Sequence, residues 1–156
     1  GRGGRRRGAP AAAKALGGGF PCAALLMTDA LAADIGAGSM GSTFGGGPLA
    51  CAAIKTVLEV IEEDNLLLQV QEISAQIKKK CVCGPITSMQ GAGFLIGLKT
   101  VPRAASVRDA LLQKGILTGT SADPHVLRLL PPFILEESHV EYLAQTLEEL
   151  NSEPLQ

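Results

Sequence analysis

An α/β fold, with a small sheet covered on one side by helices, is predicted by three observations. Apolar residues recur at helical spacing in three long segments, and short apolar runs bounded by glycine or proline lie between them. The resulting order is helix, helix, strand, helix, strand, strand, helix, with no internal repeat. Hydrophobic residues make up 46% of the 156 and charged residues 19%, a balance that supports a packed core. With aromatics at 3% and no Trp, that core must be built from Leu, Ile, Val and Ala.

Residues 1–13 hold Gly, Arg, Ala and Pro without apolar periodicity and are expected to be a disordered or truncated lead-in. Residues 14–48 form the next part, punctuated by two glycine triplets and expected to be loops around short elements. In the remaining part, 49–156, a helix starts at Pro48, a residue welcome in the first helical turn, with Ala50, Ile54, Val57, Leu58 and Ile61 on one face. Asp64-Asn65 is expected to cap a second helix, whose face is Leu66, Leu67, Val70, Ile73 and Ile77. Its final Lys78, Lys79 and Lys80 complement the negative end of the helix dipole.

Gly84-Pro85 breaks the pattern, and Phe94 to Lys99 reads as a strand. A short helix from Ser106 to Lys114 is stopped by Gly115. Ile116 to Thr120 and Val126 to Leu130 are further strands, the second closed by Pro131-Pro132. Val140, Leu143, Leu147 and Leu150 mark one face of a last helix.

Charge is uneven. Arg2, Arg5, Arg6 and Arg7 fall in the first ten residues, leaving ten basic and fifteen acidic residues in the body. Such a head suits RNA or a solvated tail, but an acidic body poor in aromatics points to no nucleic-acid partner. No apolar run approaches the roughly 18 residues of a membrane span, so no membrane association is expected and the expected compartment is cytoplasmic. Cys22, Cys51, Cys81 and Cys83 are too sparse for a disulfide framework, and Cys81-Val-Cys83 lacks a second pair or a nearby His, so no metal is expected.

Three places carry chemistry. Gly41 to Pro48 sets Ser42 and Thr43 beside three glycines just before a helix, where unpaired N–H groups favour an anion such as phosphate; a simple capping turn fits the same residues. Lys14 precedes Gly17-Gly18-Gly19, and a lysine held against such a segment can become a nucleophilic amine. Arg128 lies in the apolar run Val126 to Leu130, where a buried guanidinium would need an anionic partner, either a structural carboxylate or a substrate. Gly36 to Gly41 matches G-x-G-x-x-G without the required strand before it and helix after it. His125 and His139 have no neighbouring nucleophile or ligand.

The segments Ala13 to Pro21, Gly41 to Ala50 and Val126 to Pro132, with Gln90 to Gly97 between the last two, resemble class III pyridoxal-phosphate aminotransferases from Lys14 to about Leu150. The resemblance implies a fold-type I transferase, with 14–48 the end of its large cofactor domain and 49–156 a connecting helix and the carboxy-terminal small domain. It implies pyridoxal 5'-phosphate as cofactor, Lys14 as the nucleophile bonded to it and then as proton shuttle, and Ser42 and Thr43 at its phosphate. Thr43 would reach the cofactor of the second subunit of a homodimer, and Arg128 would bind a substrate carboxylate.

The implied reaction on small-molecule amino-acid and 2-oxo-acid substrates is amino transfer between N-acetylornithine and 2-oxoglutarate, within arginine biosynthesis. Ornithine, succinylornithine or 4-aminobutyrate are alternative donors, and a non-catalytic association domain is an alternative role. The sequence departs from the family in its arginine-rich lead-in, in Ser39-Met40 where Asp-His is usual, and in Gly47 where Asn is usual. The family's pyridine-pairing aspartate and phosphate-holding glycine-serine loop have no counterpart here. The chain is therefore expected to be a fragment without transaminase activity alone.

Overall fold

A computed structural model describes residues 10–43 and 45–150, so the arginines of the lead-in lie outside the described residues. The chain divides into two compact units, Gly1–Asp64 and Asn65–Gln156.

In the first unit a strand, β1 (Ala11–Ala13), falls within the stretch expected as lead-in and pairs antiparallel with β2 (Ala23–Leu25). Main-chain bonding suffices for so short a pair, and Leu26 extends it by donating to the Pro10 carbonyl at 2.9 Å. A 3-10 turn, Lys14–Gly17, opens the connection between the strands. After α1 (Asp29–Ala32) and a run of turns comes α2 (Pro48–Glu63), with Pro48 in its first turn as the sequence predicts. Ala50, Ile54, Val57 and Ile61 are half-buried, whereas Leu49, Leu58 and Val60 on the same helix stay exposed.

The second unit holds α3 (Leu66–Lys80), β3 (Ile86–Ala92), β4 (Leu95–Thr100), α4 (Ala104–Gln113), β5 (Gly119–Thr120), β6 (Val126–Leu129) and α5 (Glu137–Glu149). Its sheet runs β3-β4-β6-β5, antiparallel throughout. Alternation along the strands fixes the inner face: Ile96, Leu98 and Thr100 of β4 are buried while Leu95 and Lys99 are exposed. Against that face pack Val107 and Leu111 of α4, Ile77 of α3, and Val140 and Leu147 of α5. Each such side chain withdrawn from water stabilises the fold by about 1.5–3 kcal/mol.

Three local expectations are corrected. Asn65 does not cap α3 with its side chain; its backbone is left-handed at φ 52 and its carbonyl accepts from the Leu68 amide at 3.0 Å. Strand β3 was not expected, because Ile-Thr-Ser-Met-Gln-Gly-Ala shows no apolar alternation; it is an edge strand and mostly exposed. The strand expected over Ile116 to Thr120 shrinks to two residues, since the Ile116 amide donates back to Leu111 at 2.9 Å and so belongs to the end of α4.

Lys80 ties the end of α3 to α5, with its Nζ 2.8 Å from Glu137 and 3.0 Å from Glu141. The hydrogen bond with Glu137 raises the Lys80 pKa above 10.5 and lowers that of Glu137 below 4.5. The bridge therefore stabilises fully between those values; it is lost as pH falls through the lowered Glu137 pKa or rises through the raised Lys80 pKa. Lys80→Met should lower the melting temperature slightly at neutral pH, the groups being partly exposed, and leave it unchanged in strong acid. A deficit that persists in acid would show that the lysine stem, not the ion pair, carries the effect.

Candidate cofactor and carboxylate sites

Lys14 stands at the junction of β1 and the 3-10 turn, exposed, with its backbone in the left-handed region at φ 62. The turn it opens is built by the glycines that follow. Gly18 takes φ 60 and lies against α2, where an added Cβ would stand 3.2 Å from Val57. Gly17 has no room for a side chain because the Cys22 sulfur occupies the place of its Cβ. The Phe20 amide closes the loop on the Gly17 carbonyl at 3.0 Å. The Lys14 amine has no carboxylate partner among the described residues.

Ser42 and Thr43 sit in the loop between α1 and α2, exposed, and neither hydroxyl has a hydrogen-bond partner among the described residues. The Gly45 amide reaches back to the Ser42 carbonyl at 3.4 Å, and a Cβ on Gly45 would crowd Ser42 at 2.9 Å. Gly47 then precedes α2 without a side-chain cap, so the first-turn N–H groups keep their bonding capacity. Ser42 and Thr43 fit the phosphate end of pyridoxal phosphate: two hydroxyls without partners among the described residues, ahead of an uncapped helix start. Lys14, Ser42 and Thr43 thus belong to the first unit and Arg128 to the second.

Arg128 is not buried, contrary to the reading of Val126 to Leu130 as a continuous apolar run. It is exposed, pointing away from the helices, while its neighbours Leu127 and Leu129 face the core. A guanidinium on the open face remains hydrated and needs no structural anion, and it has no carboxylate partner among the described residues. The flanking Leu127 and Leu129, both buried, were the signal in the sequence that turns Arg128 outward, although Val126 is buried as well. Beside β5 and β6 a cavity of about 660 Å³ is lined by Ile77, Ile116, Leu129 and Leu143, with Arg128 also at its wall. Thr118 lines it too, with its hydroxyl oxygen buried and unpaired.

The remaining polar side chains serve the fold. His139 Nδ1 accepts from the Glu136 amide at 3.2 Å at the start of α5, and His125 Nδ1 lies 3.2 Å from the Pro102 carbonyl. Cys81 and Cys83 point their sulfurs at the Val140 and Ala144 carbonyls, at 3.8 and 3.7 Å. Burial pushes the Cys81 thiol up to about 12 and also raises Cys83, which removes both as nucleophiles. No group of three or more metal-binding side chains occurs among the described residues. No helix among them is long and apolar enough to cross a membrane.

The Aminotransferase class-III family matches residues 10–150. The chain is 43% identical over 135 residues to acetylornithine aminotransferase 1 of Bradyrhizobium diazoefficiens, covering 83% of this chain and 33% of the relative. To the acetylornithine aminotransferase of Methanocaldococcus jannaschii it is 36% identical over 149 residues, covering 90% and 36%. The crystal structure of acetylornithine aminotransferase from Elizabethkingia anophelis superposes with a TM-score of 0.79 at 26% identity, over 91% of this chain and 40% of that one.

The chain belongs to the class-III aminotransferases, enzymes that depend on pyridoxal 5'-phosphate, and has the α/β architecture of the fold-type I transferases. It spans about a third of the length of the curated relatives it matches.

Proposed function

We propose that this chain is the lysine-bearing and carboxylate-binding portion of an enzyme that moves an amino group between N-acetylornithine and 2-oxoglutarate, as in arginine biosynthesis. The observation that carries the reading is the class-III aminotransferase match over residues 10–150, within which the Lys14 amine and the Ser42 and Thr43 hydroxyls are exposed and have no partner among the described residues. The names of the relatives support the choice of donor. Bound pyridoxal phosphate would supply the electron sink that lets an amino acid lose its α-proton.

The chain's own residues then have distinct tasks. Lys14 would hold the cofactor through its Nζ and, when its amine is free, would take the α-proton of the amino donor and in the reverse half-reaction deliver a proton to the α-carbon of the oxo acid. Ser42 and Thr43 donate hydrogen bonds to phosphate oxygens, Thr43 to the cofactor of a neighbouring subunit. Arg128 pairs with a substrate carboxylate through two parallel N–H donors. Exposed Leu49, Leu58 and Val60 on α2 support burial against a second subunit of a homodimer. Ornithine, succinylornithine and 4-aminobutyrate remain competing donors, and the proposed compartment is cytoplasmic.

The 156 residues lack an acid placed by resemblance at the pyridine nitrogen, so we expect no turnover by the chain alone. Fused behind the first two thirds of the Bradyrhizobium relative, it is expected to give glutamate from acetylornithine and 2-oxoglutarate. Turnover by the chain alone would overturn its dependence on the rest of the fold. A folded hybrid inert with all four donors would overturn the aminotransferase reading.

A further inference from the structure

On the open face of the second unit's sheet, four residues from four strands lie in one row: Gln90 is paired with Gly97, Gly97 with Arg128, and Arg128 with Gly119. Two long polar side chains thus alternate with two bare backbone positions. Each long side chain leans the same way across the sheet, over the glycine beside it. A Cβ on Gly97 would stand 2.9 Å from Val126 Cγ1, 3.1 Å from Gln90 Cγ and 3.2 Å from its Nε2. A Cβ on Gly119 would stand 3.3 Å from both Nε and Nη2 of Arg128. The Nε–Nη2 edge of the guanidinium therefore faces Gly119 of β5, with Cζ farther off at 3.7 Å, while Val126 and Gln90 share the space over Gly97. Neither glycine has a positive φ, so no backbone requirement explains them.

We propose that Gly119 is a positioning residue for the substrate carboxylate: its missing side chain is the space into which Arg128 reclines. This rests on the reading of Arg128 as the carboxylate anchor. A bidentate guanidinium–carboxylate pair depends on the direction of the fork as much as on its charge. Alanine at 119 forces the guanidinium to give by a few tenths of an ångström, and valine fills the space it occupies. Glycine is a poor strand residue, so a position 119 without a role predicts that either substitution leaves the fold equally stable or more stable and leaves carboxylate binding intact.

The test uses the whole 156-residue chain and 2-oxoglutarate as probe. Phenylglyoxal modifies accessible arginines, and mass spectrometry reads its rate at Arg128 with and without 2-oxoglutarate, with Arg103 on the same chain as reference. Wild type is expected to be protected at Arg128 only. Gly119→Val should need about tenfold more 2-oxoglutarate for the same protection, the loss of one charge-assisted hydrogen bond, at an unchanged or higher melting temperature. Gly119→Ala should fall between the two.

Equal protection of wild type and both variants overturns the role of Gly119 and leaves that of Arg128 standing. No protection in wild type overturns the carboxylate reading itself. Loss of protection that tracks a fall in melting temperature in both variants also overturns the proposal, because it makes the glycine a folding residue.

Discussion

Gly84→Ala is expected to lower the stability of the second unit by about 3 kcal/mol or more. Gly84 is left-handed at φ 53, a conformation that costs an ordinary residue roughly 1–2 kcal/mol. Its Cβ would also overlap the Leu147 carbonyl oxygen and come within 2.8 Å of the carbonyl carbon. That neighbour is helix backbone and cannot rotate aside, so overpacking adds roughly 1–3 kcal/mol. If α5 yields instead, Val140, Leu143, Leu147 and Leu150 leave the core together. A fall in melting temperature of more than about 10 °C should follow for a unit of this size. A variant melting with wild type would show that the close approach of Gly84 to α5 is not maintained in solution.

Lys14→Ala should abolish specific attachment of the cofactor. Incubation of the chain with pyridoxal phosphate and then borohydride is expected to leave a stable phosphopyridoxyl group at Lys14, located by peptide mass spectrometry. The exposed and ion-paired Lys55 provides the background for non-specific labelling. In Lys14→Ala the specific label should vanish and the background remain. Labelling of Lys14 no faster than of Lys55 would remove it from the nucleophile's role. The measurement needs no turnover, so it reads the site even where the chain alone is inactive.

Much of this architecture was legible in residue spacing. Helices α2, α3 and α5 each show an unbroken apolar stripe, and Val140, Leu143, Leu147 and Leu150 are buried as their spacing predicts. Strand β3 escaped because an edge strand with one solvated face need not alternate, and Gln90-Gly91 looks like a turn on its own. Ile116 was misread because its side chain suits a strand while its amide is committed to the end of α4. Arg128 was visible as a solitary charge, but its setting was not. Which residue lies beside it depends on the pairing of β6 with β5, and Gly119 acquires meaning only through that register. The resemblance carried Ser42 and Thr43, whose local sequence alone left a capping turn as an equal reading, and Lys14, which alone reads as a solvated surface lysine.

The sulfur of Cys81 gives the second unit a way to report its own breathing. Sealed beneath α5 and held up to about 12 by burial, it stays a protonated thiol at neutral pH. An alkylating reagent must therefore wait for α5 to lift before it finds an ordinary thiol. The labelling rate then counts those excursions rather than the chemistry of the sulfur, and yields the free energy of a partial opening that global melting does not resolve.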